Sequence, residues 1–371
     1  MKIVQVPARF YPRRGGIEEL VLQSSRELVK RGHSVTVVCA DEPAVGDLEV
    51  EGIRVIRLPV MATISNTPVT PGLLGTLLSL DWDVLHSHVP HPWAPEMCAI
   101  AAFKKKKPLF VTYHNDTVGR GPHRMTAFLY NNTALPFVLS RARKIFMTHR
   151  RYLECSSSLR SYRAKSQVIP MGIDMEKFKP QERERPMGPP TVFFLSRLDR
   201  FHHYKGLRDL LLAVKALQRE FPVQLRVGGD GELLEDYRDQ VRRGALQNVV
   251  FLGSLSDGEL AREYNQCDVF AMPSTSSAHE GFGMVALEAM ACGRPVIVTN
   301  VAAVSEDVAG QSAGIVVPPR DAEALRGALA KILKDTKLAD AMGRRGRDCV
   351  EKQGSWADYA ARLEREYQTP L

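Results

Sequence analysis

The stretch His279-Glu280-Gly281-Phe282-Gly283-Met284-Val285-Ala286-Leu287-Glu288-Ala289-Met290 carries the strongest chemical signal in the chain. A glycine-rich turn runs into an apolar helical pattern. A helix start exposes unpaired N–H groups and a partial positive charge, a natural seat for phosphate. Small residues at Gly281 and Gly283 let a ligand approach the backbone closely. Glu280 lies in the turn and Glu288 about two turns into the helix. Two carboxylates so spaced can hold hydroxyls at separate points of one elongated ligand. The plain alternative is a helix cap for Glu280 and a satisfied buried carboxylate for Glu288.

A second group is Phe194-Leu195-Ser196-Arg197-Leu198-Asp199-Arg200, continued by Tyr204-Lys205-Gly206-Leu207. It follows an apolar strand pattern, and parallel-sheet proteins bind ligands at the carboxyl ends of their strands. Arg197 offers a planar fork and Lys205 a point charge, which together can bracket a diphosphate. The alternative is an exposed basic loop. A third group is histidine-rich. His114 ends the run Val111-Thr112-Tyr113-His114-Asn115-Asp116, and His86, His88 and His91 cluster upstream. No Cys, Asp or Glu ligand set accompanies these rings, so zinc is not expected. His88, at a strand end, and Asp116 are candidates for lining a ligand pocket, and Arg120 and Arg124, in the segment after His114, are candidates for binding a phosphate.

These residues need a scaffold, and the pattern supplies one. Short apolar runs alternate with amphipathic stretches: strands at 2–7, 35–40, 53–58, 84–88, 109–114, 144–148 and 167–169, with helices at 17–31 and 94–103. The proline-rich, polar stretch 179–190 reads as a linker. The rhythm then restarts, with strands at 191–195, 224–228, 249–252, 269–272, 296–299 and 314–317 and helices at 207–220 and 232–243. Such a β-α-β order implies parallel sheets wrapped by helices. The final stretch, 355–368, reads as a helix that could pack back on the first domain.

The chain has 371 residues and a formal net charge of +8, unevenly spread. Residues 1–180 hold 25 Lys/Arg against 15 Asp/Glu, and residues 181–371 hold 25 against 27. The basic half could attract anionic lipid or phosphorylated substrates. Near its basic residues lies the apolar stretch Met125–Leu139, open between a membrane-facing surface and plain core. The six cysteines are scattered with no CxxC pair, which fits free thiols in a reducing compartment. The opening Met1–Val6 lacks the apolar core of a signal peptide, and no apolar run of about 18 residues predicts a membrane span. A cytoplasmic protein is expected, with attachment to the inner face of the cell membrane left open.

Taken together the motifs resemble the retaining glycosyltransferases of the GT4 family, over nearly the whole chain. Glu280 and Glu288 match its paired-glutamate motif. Gly15-Gly16 matches its first glycine loop, Gly32-His33 its following segment, and Gly228-Gly229-Asp230-Gly231 a later turn. Val168-Ile169-Pro170-Met171-Gly172-Ile173-Asp174 matches another stretch, with Met171 where the family usually has asparagine. The resemblance implies an α/β protein of GT-B architecture, two Rossmann-like parallel-sheet domains facing a central cleft. Residues 1–178 would be the acceptor-side domain, with 355–371 returning to it, and 190–354 the donor domain.

The roles implied follow the matching positions. Arg197 and Lys205 would hold the donor diphosphate, with the backbone of Gly16. Glu288 would bind ribose. Glu280, aided by amides at Phe282, Gly283 and Met284, would contact the transferred sugar. Gly253, Ser254 and Leu255 would frame the base, and His114 would hydrogen-bond the sugar near its reacting carbon, with His88, Asp116, Arg120 and Arg124 as acceptor-side candidates, the two arginines for a phosphate on the acceptor. The implied activity moves a hexose or N-acetylhexosamine from a UDP- or GDP-sugar to an acceptor hydroxyl, lipid-linked or phosphorylated acceptors included. No metal cofactor and no nucleic acid partner are expected. Rival readings are a nucleotide-sugar 2-epimerase of the same plan and an inactive binding scaffold. A dinucleotide-dependent dehydrogenase fits worse, because the first strand leads to Gly15-Gly16 without GxGxxG.

Overall fold

The computed structural model describes every residue except 14, 65, 118–122, 183–187, 278–279 and 370–371, and the side chain of His123. Arg120 therefore lies outside the described residues. The chain divides into two units, residues 1–172 with 354–371, and residues 173–353.

In the first unit the elements run β1 (Lys2–Val6), α1 (Gly16–Lys30), β2 (Ser34–Ala40), β3 (Leu48–Val50), β4 (Ile53–Leu58), β5 (Ala62–Ile64), β6 (Thr67–Val69), α2 (Leu73–Ser79), β7 (Val84–Val89), α3 (Ala94–Lys105), β8 (Leu109–Tyr113), α4 (His123–Asn132), α5 (Ala134–Arg141), β9 (Lys144–Met147), α6 (Arg151–Cys155) and β10 (Ser166–Val168). Eight strands form one sheet in the order β10-β9-β8-β7-β1-β2-β4-β3, while β5 and β6 pair separately. Every pairing in that sheet is parallel except the short edge strand β3 against β4. Strands covered on both faces read as continuous apolar runs. Strand β7 is buried at all six positions although it contains His86, Ser87 and His88. Three polar side chains in a fully covered central strand have to be hydrogen-bonded or serve a site.

The second unit holds β11 (Thr191–Leu195), α7 (Leu207–Leu217), β12 (Gln224–Gly228), α8 (Leu234–Arg243), β13 (Val249–Gly253), α9 (Asp257–Gln266), β14 (Val269–Met272), α10 (Met284–Ala291), β15 (Val296–Thr299), α11 (Val304–Gly310), β16 (Gly314–Val317), α12 (Ala322–Lys334) and α13 (Thr336–Gln353). Its six strands lie in the order β13-β12-β11-β14-β15-β16, all parallel. Val192, Phe194, Val227, Val269 and Ile297 from the sheet pack with Leu210, Val214 and Leu329 from the helices in one buried cluster.

After the second unit is complete the chain returns. Helix α14 (Trp356–Gln368) opens with a capping box in which Ser355 and Asp358 satisfy each other's backbone N–H. It packs along α1 of the first unit, burying Tyr359, Leu363 and Tyr367. Its Glu364 accepts hydrogen bonds from Arg31 at 2.6 Å and His33 at 2.8 Å.

The structural boundary falls before Ile173, earlier than the proline-rich break at 179–190. Residues after it adhere to the second unit. Phe178 is buried edge-on against Tyr264, Lys177 pairs with Asp257 at 3.1 Å, and Asn265 bridges Lys179 O and Gln181 N. Packing, not proline content, places the boundary.

Candidate active site

Each sheet has one point where the strand order reverses. In the second unit it lies between β11 and β14, whose connections leave the sheet on opposite faces. Loops diverging there open a crevice at the strand carboxyl ends. Both strong sequence motifs meet at this point. The loop after β11 delivers Lys205, the loop after β14 delivers Glu280, and the Lys205 ammonium donates to both carboxylate oxygens at 2.9 Å. The loops are stitched by the Thr275 N–H donating to Tyr204 O at 2.7 Å. The Ser274 hydroxyl donates to Glu280, and Thr299 Oγ1 donates to Ser274 O at 2.5 Å.

Two glycines make this meeting possible. Gly206 has φ +81°, and a Cβ there would collide with the Pro273 carbonyl. Gly283 caps α10 at φ +98°, where a Cβ would press on Met272 and Val304. Only glycine accepts both the positive φ and the close approach. Phe282 is buried beside Gly283, and Met284 begins α10.

Burial works against the Lys205 cation, but the Glu280 charge and then Tyr204 outweigh it and hold its pKa above the ordinary lysine value. The pair is a fixed, nearly dry dipole, with Glu280 only 4% exposed. Arg197 is different. Its side chain is 47% exposed and pairs with Asp199 at 3.2 Å, leaving most of the guanidinium fork open to a ligand. Burial raises the Asp199 pKa, yet the hydrogen bond from His202 and the Arg197 charge bring it below the ordinary carboxylate range. Glu288, on α10, accepts from the Tyr264 hydroxyl at 2.8 Å. At the end of β13, Gly253 O accepts from Gly229 N at 2.8 Å, Leu255 packs against Gly228, and Ser254 is exposed.

In the first unit the order reverses between β1 and β7. Gly15 and Gly16, between β1 and the body of α1, are exposed, and nothing lies within 4 Å of a Cβ built on Gly16. The histidines form a stack on β7 and after β8. The rings of His86 and His88 lie 4.8 Å apart, and those of His88 and His114 5.4 Å apart, nearly parallel in both cases. His86 bonds Tyr367 Oη at 2.5 Å and Thr112 Oγ1 at 2.7 Å. His88 bonds His114 at 3.1 Å and Gln5 Oε1 at 2.9 Å. Burial pushes His86 and His114 down to about 3 and His91 to about 4, and His88 well below its ordinary value; neighbouring rings, or Arg9 and Arg13 for His91, add to this. These rings are neutral at pH 7.

The nitrogens of His86 and His88 are all engaged with protein groups, so this cluster is a hydrogen-bonded ladder and not a ligand set. Among the described residues no three His, Cys, Asp or Glu side chains are grouped to share a metal ion. The sequence does hold one Asp-x-Asp triplet, Asp81-Trp82-Asp83. It precedes β7, at the amino ends of the strands, and Lys2 and Lys107 engage its carboxylates.

Two acceptor-side candidates stand apart from the stack. Asp116 accepts from the Tyr113 hydroxyl at 2.5 Å and Ser156 Oγ at 2.6 Å, which ties the loop after β8 to the sheet. Arg124 is exposed on α4. The stretch Met125–Leu139 divides. Leu135, Val138 and Leu139 are core, whereas Met125, Phe128 and Leu129 are 65%, 61% and 52% exposed. Phe103 and Phe137 are exposed too, and the Arg141 guanidinium lies 4.2 Å over the Phe103 ring. Gln5, Ser274 and Tyr264 were not legible as site residues. Only Ser274 had a local signal, its place just after an apolar strand.

Comparison with known proteins agrees with the two-part architecture. The Glycosyltransferase Family 4 profile matches residues 14–177, and the Glycosyl transferases group 1 profile matches residues 175–348. A phosphatidyl-myo-inositol mannosyltransferase of Mycolicibacterium smegmatis is 28% identical over 96% of this chain and 90% of its own. A GDP-mannose-dependent alpha-(1-6)-phosphatidylinositol monomannoside mannosyltransferase of Mycobacterium tuberculosis is 28% identical over 98% of this chain and 97% of its own. In fold, Anabaena HepE in complex with UDP and glucose superposes over all of both chains with a TM-score of 0.79, at 20% identity.

Proposed function

Since the chain belongs to the GT4 family of retaining glycosyltransferases, with GT-B fold and a nucleotide-sugar donor, we propose that it transfers mannose from GDP-mannose to a hydroxyl of a phosphoinositide-type lipid at an anionic membrane surface. The donor and the acceptor class are those named for the mannosyltransferases it matches from end to end.

The observation that carries the reading is the Lys205–Glu280 pair beside the open Arg197 fork at the reversal point of the second sheet. A diphosphate carries more negative charge than the Glu280 carboxylate, so it competes with Glu280 for Lys205 and draws on Arg197 as well. The first amides of α10, behind Gly283, add a fixed positive end. Glu288 takes the ribose hydroxyls and Glu280 hydroxyls of the transferred sugar. Gly253, Ser254 and Leu255 border the base. Within the first unit, Gly16 and His114 are assigned to substrate, with His88 hydrogen-bonded to His114.

The reaction breaks the bond between the sugar C1 and the phosphate oxygen, and the electron pair leaves on the diphosphate. C1 acquires oxocarbenium character. The acceptor hydroxyl bonds C1 from the same face, and its proton passes to the departing phosphate oxygen. Preorganised cations stabilise that leaving charge best where water is scarce. In this reading protein cations do the work of a divalent metal.

The membrane part rests on the first unit. Phe103 on α3, Met125, Phe128 and Leu129 on α4 and Phe137 on α5 are exposed among Lys104, Lys106, Arg124 and Arg141. Exposed apolar groups interleaved with cations suit an anionic bilayer surface. Among the described residues no helix is long and apolar enough to cross a membrane. Asp116 anchors the loop that precedes α4. Arg120 and Arg124 are assigned to a lipid phosphate.

The test is a donor panel of GDP-mannose, UDP-glucose and UDP-N-acetylglucosamine, with and without phosphatidylinositol vesicles. Mannosyl lipid and free GDP, formed only when lipid is present, are expected. Transfer from a UDP-sugar alone would replace the donor. A modified free sugar released without acceptor would return the epimerase reading. Phe128→Ser with Leu129→Ser is expected to abolish co-sedimentation with phosphatidylglycerol vesicles without lowering the melting temperature.

A further inference from the structure

Gln5 is a polar side chain in the middle of β1, fully buried, between β2 and β7 in the first sheet. Neither capping nor a turn explains it. Its amide oxygen faces His88 Nε2 at 2.9 Å, and His88 Nδ1 faces His114 Nε2 at 3.1 Å. An amide oxygen only accepts, so His88 Nε2 carries a hydrogen. A neutral imidazole has one N–H, so His88 Nδ1 is an acceptor and His114 Nε2 must donate to it. His114 Nδ1 is then the unprotonated nitrogen, and among the described residues no hydrogen bond reaches it.

We propose that Gln5 is a positioning residue: acting through His88, it fixes His114 as the Nε2–H tautomer and so keeps the Nδ1 lone pair as an acceptor for a substrate hydroxyl. The consequence for transfer rests on the reading of His114 as a substrate-contacting group. The tautomer does not depend on that reading. Burial keeps all three rings neutral, which the argument requires. His86 completes the device from the other side. It stacks on His88 while Thr112 and Tyr367 hold both its nitrogens, so the His88 ring plane is fixed on both sides. Tyr367 comes from the returning helix α14, which gives that helix a second task besides covering α1. A ring whose tautomer is set by the group behind it is a familiar arrangement in catalytic histidines.

The test uses the full chain with 15N-labelled histidine at pH 7 and no ligand. The His114 signals are identified by their loss in His114→Ala. Wild type is expected to show a protonated Nε2 and a bare Nδ1. Gln5→Met, of similar volume and without an acceptor, is expected to move His114 to a mixture of tautomers. Its kcat is expected to fall about tenfold, the scale of one misdirected hydrogen bond at the reacting sugar. Thr112→Val, which frees His86 Nε2 and removes no hydrogen bond of Gln5 or His88, is expected to keep the wild-type His114 signals. A bare Nε2 or an imidazolium in the wild type overturns the proposal, and so does an unchanged tautomer in folded Gln5→Met. Should the tautomers behave as stated while no donor in the panel is consumed, the relay stands and the proposed function falls.

Discussion

The two units solve the same topological problem with opposite chemistry. Both sheets reverse their strand order once, and both hold candidate residues near that point. In the second unit the residues there are ions: Lys205 against Glu280, and Arg197 against Asp199. In the first they are neutral rings and an amide, His86, His88, His114 and Gln5, with no carboxylate among the described residues hydrogen-bonded to any of them. Fold therefore sets where a ligand sits, and side-chain charge sets what it is. A diphosphate needs fixed cations. Hydroxyl groups need neutral donors and acceptors of known direction.

Removing one ion breaks the contrast most severely. Glu280→Ala leaves Lys205 desolvated and uncompensated, and should cost the second unit about 3–5 kcal/mol, the usual penalty for splitting a buried pair. The denaturant midpoint of that unit reads it. Lys205→Met combined with Glu280→Leu should recover part of the loss, because an apolar pair of similar volume carries no unpaired charge. Full stability in Glu280→Ala would mean that the pair is solvated and the contrast is weaker than drawn.

Turnover comes next. Lys205→Ala should lower kcat by on the order of 10²-fold, as expected for a charge-stabilising group at a leaving anion. Activity within a few-fold of wild type would take the diphosphate away from this loop.

The neutral unit is sharpened by acid. The folded-state pKa of His86, about 3, lies below its unfolded value of 6.5. The ring's contribution is complete above about pH 6.5 and is lost as pH falls toward the folded value, because only the unfolded chain takes up the proton. By pH 5 the loss is about 2 kcal/mol for His86 alone, and His88 and His91 act in the same sense. Amide protection factors in β7 and β8, corrected for the slower intrinsic exchange at low pH, should fall between pH 7 and pH 5, while those in β11 and β14 should change less. An equal fall in both sheets would remove the distinction.

What the sequence disclosed follows the same division. Glu280, Gly283 and Glu288 sit in one short segment, so their spacing was readable. The Lys205–Glu280 contact joins residues 75 positions apart and depends on β11 lying beside β14, which no local pattern contains. The strands were readable because wholly buried strands are apolar runs. Helices α12 and α13 were not assigned, and α8 starts at Leu234, two residues later than its pattern suggested. Met125–Leu139 looked like one apolar stretch, yet helix geometry turned Leu135, Val138 and Leu139 inward and Met125, Phe128 and Leu129 outward. Gln5 gave no signal at all. One glutamine in Lys2-Ile3-Val4-Gln5-Val6 gains meaning only when β7 brings two histidines alongside it.

The central claim is that protein cations at the reversal point of the second sheet grip the nucleotide diphosphate. Calorimetric titration of GDP in the presence of EDTA tests it directly, with wild type beside Arg197→Ala and Lys205→Ala. The account predicts binding to wild type without metal and affinity at least about tenfold lower in each variant, the loss expected for one charge-assisted contact to phosphate. Binding that vanishes with EDTA in the wild type, or that stays equal in all three proteins, would contradict it.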